Sequence, residues 1–227
     1  MGQSLAWSIP GTWQPQANRS WRERAADPVV DGAKPRSVAG AHADVAFGDL
    51  DEPALVEACL AGRLEAFDVI VERHRRTVYQ LCYRFVSNHE DASDLSQDVF
   101  LRAYRGLRGF RGGSSLATWL YRIGVNVCLN RVSIKTPQTE SIDARQHVDR
   151  GAESAPERLL KGERAARVRA AIAQLPRKQR ATLILRIYQE MSHQQIADVL
   201  GSSVGAVKAN FFHALGNLKR LLGDEML

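Results

Sequence analysis

The residues best placed to do chemistry lie near the carboxyl end of the chain. Lys208, Asn210 and His213 carry hydrogen-bond donors at spacings that fit one side of a helix. Small residues accompany these donors and leave that side of the helix open. They are Gly205, Ala206 and Ala209. Donors on a face without bulk are suited to base edges in the major groove of duplex DNA. The pattern therefore predicts a helix that can approach bases closely.

Two helices joined by a sharp turn must position these donors. Ser192 is expected to cap the first helix, with Gln195 completing a capping box. Gly201 is expected to end that helix, and Ser203 to cap the second one. This helix-turn-helix pattern places its second helix in the major groove, although two packed helices of an ordinary bundle show the same spacing. The second helix has apolar residues that recur at steps of three and four: Val204, Val207, Phe211, Ala214, Leu215, Leu218 and Leu222.

A second candidate surface combines basic, aromatic and polar residues in a glycine-rich loop and the helix after it. Its predicted members are Phe110, Arg111, Ser114, Ser115, Arg122, Asn126, Asn130 and Arg131. Basic side chains neutralise phosphates while aromatic rings stack on splayed bases, so this composition is typical of single-strand binding. Trp119 has two interpretations, a platform on which a base stacks or a residue of the core. The leucines beside it favour the core. The loop lacks the GKS/T ending of a phosphate-binding P-loop.

A third candidate surface is the acidic face of the helix before that loop. It is formed by Asp91, Asp94, Gln97, Asp98 and Arg102. Carboxylates at steps of three and four align on one face, but no second acidic helix completes an oxygen cage for a metal ion. A basic protein partner is the favoured interpretation of this face.

Catalysis is not expected. The 6 histidines are scattered, without the spacing of a metal site, and no nucleophile has a convergent base. Neither a cofactor nor a metal is predicted. The 3 cysteines, at positions 59, 82 and 128, lie in apolar helical patterns and predict buried free thiols in a reducing compartment. No apolar run reaches the roughly 20 residues of a membrane span, so a cytoplasmic protein is expected.

The whole chain of 227 residues reads as an all-α protein with two small helical domains on a flexible tether. The predicted domains are residues 51–135 and 156–227. The net charges of +4 over residues 55–135 and +6 over residues 156–227 suggest that both domains face one polyanion. Residues 136–155 lack periodicity and predict a linker. Residues 1–50 are rich in proline and glycine and predict a disordered extension, whose tryptophans have no assigned role.

With these residues in view, the chain resembles the extracytoplasmic-function (ECF) sigma factors, group 4 of the sigma-70 family of bacterial RNA polymerase subunits. Three blocks carry the resemblance in this order: DASDLSQDVFLRAYRGLRGFRG, TWLYRIGVNVCLNR and LPRKQRATLILRIYQEMSHQQIADVLGSSVGAVK. The resemblance covers roughly Leu55–Lys135 and Pro156–Leu222. One departure is that Asn210, His213 and Leu215 stand where the family's recognition helix usually has arginines.

The resemblance implies roles for the three surfaces. The acidic face would dock on the clamp of the polymerase's largest subunit. The glycine-rich loop and the polar residues of the helix after it would capture the non-template strand of the −10 element. The helix-turn-helix, with Lys208 and its neighbours, would read the −35 element as duplex. The polymerase flap, like the clamp, would be a partner of this protein. The linker would pass toward the polymerase active-site cleft, and a separate anti-sigma factor would provide control.

The resemblance predicts a sigma factor that directs core polymerase to specific promoters and assists promoter melting. The alternative is a stand-alone helix-turn-helix transcriptional regulator, which would leave the acidic face and the basic loop without a use. A nucleic-acid enzyme such as a recombinase is remote, because Tyr121 and Tyr188 lack convergent partners in the sequence pattern.

Overall fold

The computed structural model describes residues 47–134 and 155–223, and all the regular structure in these two ranges is helical. A 3-10 turn, Phe47–Asp49, precedes the first α-helix, and another, Leu107–Gly109, follows the third. The α-helices are α1 (Glu52–Leu60), α2 (Leu64–Val86), α3 (His89–Gly106), α4 (Leu116–Ile134), α5 (Ala155–Ala173), α6 (Arg177–Tyr188), α7 (His193–Leu200) and α8 (Val204–Leu222). The predicted extension lies outside the described residues except for positions 47–50, and the predicted linker except for Ala155.

Local sequence signals set where these helices begin. The Asp51 carboxylate accepts a hydrogen bond from the Ala54 N–H at 2.9 Å and so caps α1. Ser87 has a positive φ of 53° after α2, and Asn88 then caps α3 by accepting from the Asp91 N–H at 2.9 Å. Side-chain acceptors satisfy N–H groups that a helix start leaves without intrahelical partners. The chain therefore breaks between α2 and α3 at Ser87 and Asn88.

Contacts divide the chain into two units, residues 1–69 and 70–227. In the described part of the first unit, Leu55 and Phe67 are buried. In the second unit, α3 packs along α4, and α6 and α7 pack against α8. Helix α4 also contacts both α6 and α7. The second unit therefore includes all three candidate surfaces.

Gly124 of α4 lies against the Leu81 side chain of α2 within the second unit. A Cβ atom at this position would lie 2.9 Å from Leu81 Cδ2 and 3.7 Å from Val99 Cγ2. The first separation is shorter than a van der Waals contact, and both partners are buried. Only glycine fits here without displacing packed core side chains.

The three thiols have different environments. Cys82 and Cys128 are fully buried, and a hydrogen bond between them is the main cause that raises the pKa of Cys128. Cys59 is only half-buried, which corrects the prediction that all three are buried. Cys59 lies on the same face as the buried Leu55 and Val56, three and four residues after them. The prediction failed because α1 ends one residue later and residues 60–65 are exposed, so this end of the helix is only partly covered. Burial still raises the pKa of Cys59 to about 11.

None of the helices that the structure describes is long and apolar enough to cross a membrane. Within the same residues, no three histidine, cysteine or acidic side chains converge as a metal site would require.

Candidate nucleic-acid interface

The helix-turn-helix is built as its sequence signals predict. Ser192 Oγ accepts from the Gln195 N–H at 3.2 Å, while Gln195 Oε1 accepts from the Ser192 N–H at 2.8 Å. Gly201 adopts the left-handed conformation, with φ 57°, and ends α7. Ser203 Oγ then accepts from the Ala206 N–H at 3.2 Å and caps α8. These local bonds fix the turn, and therefore the direction in which α8 leaves it.

The leading part of α8 presents the predicted donors to solvent. Lys208 and His213 are exposed, and Asn210 is half-buried. The small residues of the same region are also exposed; they are Gly205, Ala206 and Ala209. Val207 lies on the opposite side and is fully buried. The start of α8 is thus an uncluttered polar surface that another molecule can approach.

Further along α8, two large apolar side chains lie at the surface. Phe212 is 74% exposed and Leu215 is 46% exposed. Leu215 belongs to the apolar period of this helix, yet it is not buried. Helix α8 buries Val207 and Ala214, and Leu215 lies about 100° around the helix axis from Ala214. Leu215, which stands where the resembled family usually has an arginine, is thus part of an exposed apolar surface. Phe212 enlarges this surface, and the sequence analysis did not predict its exposure.

The basic loop before α4 is organised by an aromatic pair. The rings of Phe110 and Trp119 lie 5.2 Å apart between centroids, and both residues are half-buried. Ser115 Oγ accepts from the Thr118 N–H at 3.2 Å and so satisfies a free N–H at the start of α4. Arg111 is exposed. Trp119 therefore packs against Phe110. The loop thus presents an exposed basic residue, Arg111, directly after the aromatic Phe110.

Of the four predicted polar residues on α4, two are exposed and two contact other helices. Asn126 and Asn130 are exposed. Arg122 Nη2 donates to the Asp198 carbonyl oxygen of α7 at 2.6 Å. Arg131 Nη2 lies 3.0 Å from Asp91 Oδ1 on α3. The two arginines thus contact other helices of the unit, which spacing along α4 could not indicate.

The acidic face of α3 lies at the surface. Asp94 is exposed, while Gln97 and Asp98 are half-buried. Asp98 forms an ion pair with Arg102 at 3.0 Å, one turn along the same helix. Pairs of this kind at a surface contribute little to stability and are free to exchange partners. The five predicted residues therefore share one surface, although Asp91 faces Arg131 rather than solvent alone.

Sequence reasoning missed Arg180, the only buried charged residue among those described. Its Nη2 donates to the carbonyl oxygen of Phe85 on α2, and its Nη1 donates to that of Ala173 on α5 at 3.3 Å. Burial is the main cause that lowers the pKa of this guanidinium. Phe85 and Ala173 lie in the last turns of their helices, where carbonyl groups lack intrahelical partners. No local signal marks Arg180, because its partners are remote in sequence.

Two family profiles match this chain. Sigma-70 region 2 matches residues 70–135, and Sigma-70, region 4 matches residues 165–218, together more than half of the sequence. The ECF RNA polymerase sigma-E factor of Escherichia coli is 33% identical over 174 residues, which cover 73% of this chain and 91% of that protein. The chain belongs to the ECF RNA polymerase sigma factors.

Other relatives and solved structures agree with this assignment. The sigma-H factor of Pseudomonas aeruginosa is 34% identical over 70% of this chain and 88% of its own length. The structure of CnrH in complex with the cytosolic domain of CnrY has a TM-score of 0.55 and 27% identity, and covers 74% of this chain and 95% of that one. The sigma factor RpoE of Bartonella quintana, solved with the anti-sigma factor NepR, shares the fold with a TM-score of 0.54 at 22% identity over 69% of this chain and 96% of that one.

Membership of this family gives the function of the protein. A sigma factor of the ECF type directs core RNA polymerase to promoters at the start of transcription, and the stand-alone regulator is disfavoured. The region 2 match contains the acidic face and the basic loop, and the region 4 match contains the helix-turn-helix. Each candidate surface therefore lies within a matched region.

Proposed function

We propose that this sigma factor reads the −35 element as duplex with the leading face of α8. The observation that carries the proposal is the exposure of Lys208 beside exposed small residues, Gly205, Ala206 and Ala209, behind a turn fixed by caps on both sides. A helix face without bulk can lie close to base edges, where a lysine donates to phosphates or to guanine. The remaining members of this surface are supporting residues, and they are Ser192, Gln195, Ser203, Asn210 and His213.

The −10 element is assigned to the loop before α4 and to the exposed part of α4. Phe110 offers a ring for a splayed base, with Arg111 beside it for the phosphates. Asn126 and Asn130 offer amide groups that both donate and accept, as base edges require. Ser114, Ser115, Arg122 and Arg131 complete this proposed surface. Recognition of a single strand by these residues would hold the melted state of the promoter.

The acidic face of α3 is assigned to the clamp of core polymerase, and the flap is assigned to the region 4 half. The exposed Asp94 and the half-buried Asp98 fit a basic protein surface, because complementary charge steers association. The domain limits that accompany this proposal are 51–135 for the −10 half and 156–227 for the −35 half. The protein acts without catalysis of its own and works in the cytoplasm, beside polymerase and DNA.

An anti-sigma factor is proposed as a further partner. The support is that two proteins of similar fold were solved with a second protein bound. CnrH was solved with the cytosolic domain of CnrY, and the sigma factor RpoE was solved with the anti-sigma factor NepR. Such a partner must abolish promoter-dependent transcription when it is added at an equimolar amount. It must also lose this effect when excess core polymerase is bound first.

Run-off transcription with purified core polymerase on a fragmented bacterial genomic library tests the function. Transcripts that depend on this protein are expected, and their mapped starts give the promoter motif. Reversal of two charges, Asp94→Arg with Asp98→Arg, is expected to abolish co-purification with core polymerase while the fold is kept. The matched control is Glu72→Arg with Glu163→Arg, which reverses two exposed acidic residues on other helices. Equal co-purification of both variants would refute the docking assignment.

The duplex assignment has its own test. Lys208→Ala is expected to weaken binding of promoter duplex and to reduce the slope of log affinity against log salt by about 0.9, since one phosphate contact is lost. Arg164→Ala on α5 removes one exposed positive charge elsewhere and serves as the control. An unchanged salt slope for Lys208→Ala would remove this lysine from the contacting residues.

A further inference from the structure

A pair of buried cysteines belongs to none of the three candidate surfaces. Cys82 on α2 and Cys128 on α4 are both fully buried. Their thiols are joined by a hydrogen bond, which is the main cause of the raised pKa of Cys128. One turn before Cys128, a Cβ atom at Gly124 would lie 2.9 Å from Cδ2 of Leu81, the residue before Cys82. Two separate observations therefore bring the same parts of α2 and α4 into contact.

A buried cation lies beside this thiol pair. Arg180 is only 6% exposed, and Cys128 lies close enough to interact with its charge. Its Nη2 donates to the carbonyl oxygen of Phe85, three residues after Cys82 on α2. Among the described residues, the Nε–H of Arg180 has no hydrogen-bond partner, and its guanidinium forms no ion pair with a carboxylate. A charge buried without a counter-ion is costly, so an anion placed here would be stabilised.

Two thiols that lose their protons to a metal ion would supply such an anion. Most metal ions need three or more protein ligands, as zinc does in its tetrahedral sites. The described residues contain no cluster of three histidine, cysteine or acidic side chains that could supply them. Copper(I) is different, because it is a soft ion that prefers thiolates and binds two of them in a linear arrangement. Two cysteines are therefore a complete ligand set for copper(I).

We propose that Cys82 and Cys128 form a two-coordinate copper(I) site in the core of the second unit, with Arg180 as its counter-ion. Each thiol loses its proton to solvent as its S–Cu bond forms, so one copper(I) ion displaces two protons. The copper stays in the +1 state, and neither sulfur is oxidised. Two thiolates and one copper(I) ion carry a net charge of −1, which the guanidinium neutralises. The site is independent of the promoter assignments, and it links α2 to α4.

Anaerobic titration with copper(I) held by the chromophoric chelator bicinchoninate measures the site in the full chain. The background is Cys59→Ser, which removes the half-buried third thiol. This protein should take one copper(I) ion per chain from an excess of the chelator. X-ray absorption of the loaded protein should show two sulfur neighbours and no nitrogen or oxygen neighbour. Failure to take up copper(I), or a copper ion with nitrogen or oxygen neighbours, would overturn the proposal.

Removal of either ligand tests which sulfur atoms hold the ion. Cys82→Ala and Cys128→Ala should each lower the copper(I) affinity by at least about 100-fold, because the ion loses one of its two ligands. Val78→Ala is the matched control, since Val78 is also buried on α2, one turn before Cys82, and its loss leaves both thiols in place. Circular dichroism verifies that each variant is folded. Undiminished uptake by either cysteine variant would overturn the proposal, and X-ray absorption of the Cys59→Ser protein decides it if both variants fail to fold.

The counter-ion role of Arg180 is tested by changing its charge. Arg180→Gln removes the positive charge and should lower the copper(I) affinity about tenfold, because the anionic site then lacks a neutralising group. Arg180→Lys keeps the charge and should retain most of the affinity. Both affinities are measured at a temperature at which circular dichroism shows folded protein. Equal affinities for the glutamine and lysine variants would overturn the assignment of Arg180 as the counter-ion.

Discussion

Replacement of Arg180 by methionine should destabilise the second unit by about 3 kcal/mol. The side chain bonds two carbonyl groups that end helices, those of Phe85 on α2 and Ala173 on α5. Each hydrogen bond from a charged donor contributes about 1.5–3 kcal/mol. The burial that lowers the pKa of Arg180 opposes this gain, because the cation loses its hydration.

The sign of the net effect follows from what methionine leaves behind. Methionine fills most of the arginine volume, so a cavity contributes little. Both carbonyl groups lose their donor, and at the fully buried Phe85 an unsatisfied polar group costs about 1–3 kcal/mol. Ala173 is exposed, so its carbonyl group can bond to water instead. Replacement of a buried ion pair by apolar residues is often neutral, but here the partners stay in place. The stability lost with these hydrogen bonds therefore exceeds the stability gained by no longer burying a cation.

Urea unfolding followed by circular dichroism measures the effect. Thermal unfolding should shift by about 6–12 °C, given about 2–4 °C per kcal/mol for a unit of this size. Arg180→Lys should be intermediate, since lysine keeps the charge but lacks the planar fork that reaches two acceptors. Arg177→Met, three residues earlier on the exposed side of α6, should be unchanged. Stability of Arg180→Met within 0.5 kcal/mol of wild type, on the order of the usual surface effect, would refute this account.

Three further predictions follow from local geometry. Gly124→Ala should destabilise the protein by about 1–3 kcal/mol, because the new Cβ would lie 2.9 Å from Leu81 Cδ2. Chemical denaturation measures this loss of stability. The control is Gly113→Ala, since no atom lies within 4 Å of a Cβ at that position. Gly201→Ala should cost about 1 kcal/mol or more, since its φ of 57° is strained for other residues; a denaturation midpoint equal to wild type would count against it. The Cys59 thiol, whose pKa is raised from 9.0 to about 11, should react about 100-fold more slowly with iodoacetamide at neutral pH than an ordinary thiol, and faster as the pH rises toward 11. Equal rates in native and urea-unfolded protein would contradict the last prediction.

The raised pKa of Cys59 also has a consequence for stability, with a defined sign. Folding favours the neutral thiol, so the contribution of this group is fully present below its unfolded pKa of about 9. It is lost as the pH rises from there through about 11. Alkaline destabilisation in this window should be smaller in Cys59→Ser, which has no titrating thiol, and a stability–pH curve of both proteins checks it.

Much of the architecture could be predicted from sequence because its signals are local. The bounds of α2 and α6 follow from apolar periodicity, and the caps at Ser192, Ser203 and Gly201 follow from residue type within a few positions. Exposure of the small and polar residues at the start of α8 follows from the same period. These features depend on neighbours three or four residues away, which a single sequence displays.

The contacts that join the helices could be decided only by tertiary structure. Arg180 and Phe85 are 95 positions apart, Arg122 and Asp198 are 76 apart, and nothing in the pattern around them indicates the pairing. Leu215 likewise fits the apolar period, yet it is exposed, because the stripe that α8 buries is narrower than its apolar pattern. The sequence by itself thus determined the helices and the surfaces they carry. Packing determined which charged groups are buried and which helices meet, because these depend on residues brought together only when the chain folds.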